Sequence, residues 1–256
     1  MKKRTLISVM MAFVMVCLAG CGSKSLTAEE VLAKATEKQQ AAKSIDASMK
    51  MDISMDIAGQ SIDYDMDIDM KAIDMNEEGM QMSMRTDMDI LGQQMSMNTY
   101  YTDGCYYMDS MGQKMKMNMD IAEMTETLKQ NSVFTEIPAD AYKSLEVEEK
   151  DGGRMLTYTA DGSQLTEIVD SIMSGMMGSL GEMDDMDVSL GDVSGTITLD
   201  KDFNVTAQTM KMDMTMTVEG MDVGASMDMD MTVNNPGQEV TVELPDDLDS
   251  YEEMEE

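Results

Sequence analysis

The sequence contains no tryptophan and no histidine, and aromatic residues make up only 4% of its 256 positions. Without histidine, the chain cannot build a Ser-His-Asp triad or a zinc site with histidine ligands. With so few aromatic rings, a cleft that stacks sugar rings is not expected. The sequence also lacks a Gly-x-Ser-x-Gly motif and a glycine-rich phosphate loop. These absences argue against an enzyme, and no cofactor is implied.

The first twenty residues have the features of a secretory signal. Residues 1–4 (MKKR) are basic, residues 5–16 form a short apolar run, and small residues precede Cys21. Residues 18–21 (LAGC) resemble the bacterial lipobox, in which the cysteine is joined to diacylglycerol and becomes the first residue after cleavage. The alternative is an uncleaved anchor helix with an incidental cysteine. The chain is therefore expected to divide into a signal peptide, a lipidated tether, a folded domain and an acidic tail, at residues 1–20, 21–26, 27–245 and 246–256.

Lipidation of Cys21 is the membrane anchor that the sequence predicts. One acyl chain binds a membrane only marginally, whereas two chains anchor a protein stably. No later run of about 20 apolar residues is present to form a second anchor. The expected location is the extracytoplasmic face of the cell membrane. Cys17 leaves with the signal and Cys105 remains alone, so no intramolecular disulfide is expected.

The charge balance is strongly acidic, with 50 Asp and Glu against 18 Lys and Arg, for a net charge of −32. Loss of the signal removes Lys2, Lys3 and Arg4, so −32 becomes −35. Such a surface repels nucleic acid, and a nucleic-acid partner is not expected. The sequence indicates no particular protein partner.

Local patterns predict one helix followed by an antiparallel meander. Residues 27–30 (TAEE) match a capping box and predict a helix that continues to Lys43. The apolar period then changes to two, and methionine fills the apolar positions while aspartate fills many others. Glycine-containing turn signals separate the alternating segments at residues 59–60, 78–79, 92–93, 103–104 and 112–113. One face of this sheet should be buried and the other should face water.

The second half of the chain mixes helices and strands. Asp120 begins a short predicted helix, and a hairpin is predicted at 145–160 with its turn at 151–153. Residues 164–180 carry an apolar stripe at helical spacing. Residues 200–204 (DKDFN) imitate part of a calcium loop but lack its glycine and glutamate, so a hairpin turn is expected. Further strands are predicted at 193–200, 203–218, 221–233 and 240–244, and a disordered acidic tail is predicted after Pro245.

Two segments of the chain repeat the same pattern. Residues 49–70 align with residues 210–231 without a gap, and Gly59 falls on Gly220. Both segments predict a hairpin.

The order of these elements resembles the LolA/LolB-type lipoprotein-carrier fold and its Gram-positive relatives of the LppX/LprG type. The resemblance is carried by the lipobox, by the opening segment 28–51 (AEEVLAKATEKQQAAKSIDASMKM) and by the meander with helices in its middle. It implies an α+β fold in which a curved antiparallel sheet of about ten strands forms an open half-barrel with helices covering its concave face. Members of that group with known roles hold lipid or acyl chains there.

The 37 methionines leave three hypotheses open. Methionine is flexible and adaptable, which favours a cavity for a lipid or acyl chain. The alternatives are a scaffold protein with a dry core, and a Cu(I)-binding protein that uses thioether ligands. Because the methionines occupy the face that must be buried, and histidine is absent, copper is the least favoured and no metal site is predicted. The candidate cavity and lid residues are Met51, Met55, Met66, Met82, Met97, Met117, Ile172, Met173, Met176, Met212 and Met229.

Overall fold

The computed structural model describes residues 26–57, 59–75, 77–130, 137–165, 187–218 and 221–254. Within these residues the helices are α1, Ala28–Gln40, and α2, Ile121–Gln130, with short 3-10 helices at Ala139–Ala141, Gly162–Gln164 and Leu248–Ser250. The strands are β1 Ile45–Ile57, β2 Gln60–Ile73, β3 Gln81–Ile90, β4 Gln93–Thr102, β5 Cys105–Ser110, β6 Gln113–Asn118, β7 Tyr142–Lys150, β8 Gly153–Ala160, β9 Asp187–Leu190, β10 Val193–Leu199, β11 Val205–Val218, β12 Met221–Val233 and β13 Glu252–Glu253.

All of these strands belong to one large, curved and unclosed sheet. Its order is β13-β6-β5-β4-β3-β2-β1-β12-β11-β10-β8-β7, and β9 pairs with β11 beside β10. Neighbouring strands are antiparallel, except that β13 is parallel to β6. The predicted open antiparallel sheet is confirmed, with 13 strands instead of about ten. The predicted helix cover is supported only in part, because the stripe helix at 164–180 lies almost wholly outside the described residues.

The two faces of the sheet differ in chemistry because side chains alternate along each strand. On the face that we call the inner face, Met51 of β1 lies opposite Met66 of β2 and Met229 of β12. On the outer face, Asp52 lies opposite both Asp65 and Asp228. Like charges directly opposite each other destabilise a strand pair. The acidic outer face therefore favours solubility and lowers the stability of the sheet.

Helix α1 packs on the inner face at the β7 edge of the sheet. Its capping box is present: the Thr27 hydroxyl accepts a hydrogen bond from the Glu30 amide at 3.3 Å, and the Thr27 amide donates to Glu30 Oε2 at 2.9 Å. Val31 is fully buried against Leu156 and Leu199. The helix ends at Gln40, three residues before the predicted end.

Several local predictions in the second half are confirmed. Helix α2 is capped by Asp120, whose carboxylate accepts a hydrogen bond from the Glu123 amide at 2.9 Å. The hairpin of β7 and β8 turns at Asp151 and Gly152, and residues 200–204 form a hairpin turn. The Asp200 carboxylate accepts hydrogen bonds from the Asp202 and Asn204 amides at 2.8 and 2.9 Å. Although burial opposes it, hydrogen bonds from Asn204 and Asp202 lower the pKa of Asp200.

The C-terminal segment departs from the prediction. Residues 240–244 alternate like a strand, but they pair with no other strand in the described part of the chain, so that prediction is wrong. The expected disorder after Pro245 is also wrong for residues 246–254. Tyr251 is buried with its ring 5.4 Å from that of Tyr107, and β13 extends the sheet at β6.

Candidate functional site

The inner face of β2, β1, β12 and β11 forms a largely apolar wall. The pairing register places methionine beside methionine across these strands, as in the row of Met66, Met51, Met229 and Met210. Met229 is 1% exposed and Met51 is 8% exposed. The inner positions of these four strands carry no charged residue. The wall can therefore offer apolar contact and soft, adaptable sulfur atoms.

The structure brings some predicted site residues together and separates others. Met51, Met212 and Met229 belong to the largest buried cluster, with Met66 packed against it. Met82 lies in a second cluster under α2, together with Ala72, Met80, Tyr101 and Met124. Met55 packs against a third cluster at the far end of β1.

Two further candidates lie toward the β6 edge of the sheet. Met97 and Met117 are half-buried, opposite Thr86 and Tyr106 respectively. The predicted lid residues Ile172, Met173 and Met176, and the lipidation site Cys21, lie outside the described residues, so their roles stay predictions.

Tyr158 is a feature of the inner face that sequence reasoning missed. Its side chain is 1% exposed and lies across Gly195 of the neighbouring strand β10, where an added Cβ would be 2.7 Å from Tyr158 Oη. The Tyr142 ring packs edge-on at a centroid distance of 5.9 Å. Only the cross-strand pairing of Tyr158 with Gly195 reveals this arrangement, and that pairing leaves no signal in the sequence.

The Tyr158 hydroxyl is a polar atom within this apolar surface. Burial, reinforced by Tyr142, raises the pKa of Tyr158 to about 12, although the Gln208 side chain opposes the shift. Gln208 lies near the hydroxyl without forming a hydrogen bond to it, and within the described ranges the hydroxyl has no hydrogen-bond partner. Thr99 Oγ1, also fully buried on the inner face, likewise has no hydrogen-bond partner among the described residues.

Metal and redox chemistry find little support in the described residues. Within these ranges, no group of three or more His, Cys, Asp or Glu side chains is arranged to hold a metal ion. Cys105 is a half-buried, free thiol at the start of β5, as expected, and its Sγ donates to Asn118 Oδ1 at 3.3 Å.

No helix in the described part has the length and apolar character needed to cross a membrane.

The fold and this wall define a class of protein: an open antiparallel sheet with an apolar, methionine-lined inner face. The chain belongs to the family of unknown function DUF6612, which matches residues 27–251. No curated protein matches the chain in sequence.

Solved structures that resemble the chain include lipoproteins of the groups named above. Mycobacterium tuberculosis lipoprotein LppX is 8% identical with a TM-score of 0.43, over 83% of this chain and 96% of that one. LprF from Mycobacterium bovis is 12% identical with a TM-score of 0.40, over 85% and 96%. A putative outer membrane lipoprotein-sorting protein domain from Vibrio parahaemolyticus is 9% identical with a TM-score of 0.26, over 83% and 95%. Likenesses of this size carry no conclusion about function.

Proposed function

We propose that the protein is an extracytoplasmic lipoprotein, anchored through Cys21, that holds a hydrophobic ligand such as a lipid or acyl chain on its inner face. The observation that carries the proposal is the uncharged wall of methionines across β2, β1, β12 and β11. A core built of methionine specifies a unique packing poorly, because each side chain has three rotatable bonds. The same flexibility suits a surface that must adapt to an acyl chain.

The second candidate is a scaffold lipoprotein whose inner face is a dry core. It is favoured by the burial of Met229 and Met231, which are 1% and 4% exposed. The two candidates differ in one observable: a ligand-binding protein carries lipid that organic solvent removes, whereas a dry core carries none.

Extraction of the purified full-length protein with organic solvent is expected to release a lipid in near-stoichiometric amount. Mass spectrometry of the extract identifies it. The diacylglycerol proposed on Cys21 is covalently bound and stays with the protein, so the two pools are measured separately. A folded protein that yields no extractable lipid, even after incubation with membrane lipids, would make the scaffold the better explanation.

Replacing Cys21 by alanine is expected to abolish incorporation of labelled fatty acid, because no other residue is expected to take the diacylglyceryl group. Cys105→Ala is the matched control and should keep the label. Radiolabelled fatty acid followed by electrophoresis checks both variants, and a carbonate wash tests membrane attachment. If Cys21→Ala keeps its label, the anchor lies elsewhere.

A further inference from the structure

Four hairpins of the sheet close through two-residue turns of one geometry. Both turn residues have positive φ: 54° and 80° at Leu91-Gly92, 53° and 83° at Met111-Gly112, 52° and 72° at Asp103-Gly104, and 52° and 81° at Asp151-Gly152. Aspartate and asparagine tolerate this conformation at the first position, whereas other side chains with a Cβ are disfavoured there. Leu91 and Met111 therefore adopt a backbone conformation that is disfavoured for their residue types.

The two unusual turns lie at the same end of the sheet. Strands β3 and β5 run in the same direction, so the turns that follow them lie at the same end of the sheet, two strand spacings or about 10 Å apart across it. Ser110 pairs with Met97, so the β3–β4 tip extends four residues, or about 13 Å, further along the strands than the β5–β6 tip. The Asp-Gly turns lie at the opposite end. Leu91 is 71% exposed and Met111 is 78% exposed, the highest values among large apolar side chains in the described ranges.

The turn positions Leu91-Gly92 and Met111-Gly112 carry no charge. Gln93 and Gln113 directly follow the two turns, and Gln60 follows the neighbouring turn at Gly59. Of the neighbouring carboxylates, Asp89 accepts a hydrogen bond from the Gly92 amide at 2.7 Å and Asp56 accepts one from the Gly59 amide at 2.9 Å. Asp109 and Lys114, which have opposite charges, pair across the hairpin beside the Met111 turn. In a chain with a net charge of −32, Leu91 and Met111 can therefore enter an apolar phase without a charged turn residue being buried with them.

We propose that Leu91 and Met111 are two prongs that insert into the acyl region of a lipid surface. A protein partner usually needs a contiguous interface of roughly 1,000 Å² or more, and these are single side chains on separate turns. A fluid bilayer adapts around each of them individually. Two side chains bind weakly, so the inference rests on the proposed anchor at Cys21 to hold the protein at high local concentration.

The proposed tether is compatible with this contact. Five residues lie between Cys21 and Thr27, and the six chain steps that join them reach about 20 Å when extended. Because α1 packs at the β7 edge, on the half of the sheet away from β3–β6, contact of the prongs with the surface requires the sheet to lie along the membrane.

The absence of native tryptophan allows a direct test. Full-length Leu91→Trp protein is reconstituted in phosphatidylcholine vesicles with brominated acyl chains, and tryptophan emission is recorded. A blue shift with strong quenching is expected. The matched control, Asp103→Trp, changes the same turn position at the opposite end and should keep the emission of a water-exposed, unquenched tryptophan. Identical spectra from the two variants would overturn the proposal, provided that circular dichroism shows both folded.

A second variant tests whether the prongs act together. Adding Met111→Asn to Leu91→Trp is expected to reduce the quenching, while Asn-Gly, a preferred pair for this turn, preserves the hairpin. A blue shift that brominated chains do not quench would place the tip against protein, a second copy included, and would also overturn the lipid assignment. The readout is independent of the lipid extracted from the inner face, so failure here leaves the ligand proposal standing.

Discussion

Replacing Gly195 by alanine is expected to lower the free energy of unfolding by about 3 kcal/mol, the upper end for overpacking a filled site. The added Cβ would lie 2.1 Å from the Thr209 carbonyl oxygen and 2.7 Å from Tyr158 Oη. The first contact is with the backbone of a paired strand and the second is with a buried ring, so neither neighbour can move away freely. Urea denaturation followed by circular dichroism measures the loss.

Gly224→Ala is the matched control for this effect. Gly224 also lies within a strand of the sheet, but a Cβ there would meet nothing within 4 Å. Its replacement is expected to be neutral or stabilising by up to about 1 kcal/mol, because alanine loses less backbone entropy on folding than glycine. Equal losses in the free energy of unfolding for the two variants would show that the close packing of Tyr158 over Gly195 does not make position 195 intolerant of a larger side chain.

Replacing Met229 by alanine is expected to lower the free energy of unfolding by about 2–4 kcal/mol, the range for removing a large side chain from a closed core. Met229 is 1% exposed, between Met51 on one side and Met210 on the other. Met227→Ala, on the same face of the same strand but half-buried, should cost less. The comparison is made by denaturation of protein freed of extractable lipid.

The same variant helps to separate a ligand-binding wall from a dry core. A ligand that binds only the folded state adds stability in proportion to its saturation. Returning lipid should therefore raise the stability of wild type, and an acyl chain that enters the space left in Met229→Ala should recover part of the loss. If added lipid leaves both proteins unchanged, the inner face is a dry core.

The local part of the fold was predictable because strand alternation and turn chemistry act over a few residues. The turn signals at 59–60, 92–93, 103–104 and 112–113 lie where hairpins of the meander close. Both copies of the internal repeat, 49–70 and 210–231, fold as hairpins, β1–β2 and β11–β12.

Strand order was not predictable from the same signals. Because methionine recurs among other apolar residues along the inner positions of many strands, many registers are locally equivalent, and nothing in the sequence selects the pairing of β1 with β12. The alternation at 240–244 has the pattern of a strand but no partner to complete it.

The acidic tail shows how composition can mislead. Its many carboxylates predict a solvated segment, yet Tyr251 and the pairing of β13 with β6 hold it against the sheet. Tyr251 packs against Tyr107, and the Lys114 ammonium lies 5.3 Å from the centre of the Tyr251 ring.

For the candidate site, the methionine wall could be predicted from the strand period, whereas the packing of Tyr158 over Gly195 depends on a neighbour 37 positions away.

The pairing of β1 with β12 has a consequence for the order in which the chain folds. The first and the last long strands to be synthesised lie side by side in the middle of the sheet. Pairings between such distant parts of a chain form slowly, because a long loop must close first. Until β12 arrives, β1 has one bare edge and an uncovered apolar face, the kind of intermediate that aggregates. Repulsion between the aspartates of the outer face would keep this partly folded half of the sheet from associating with other copies of the chain.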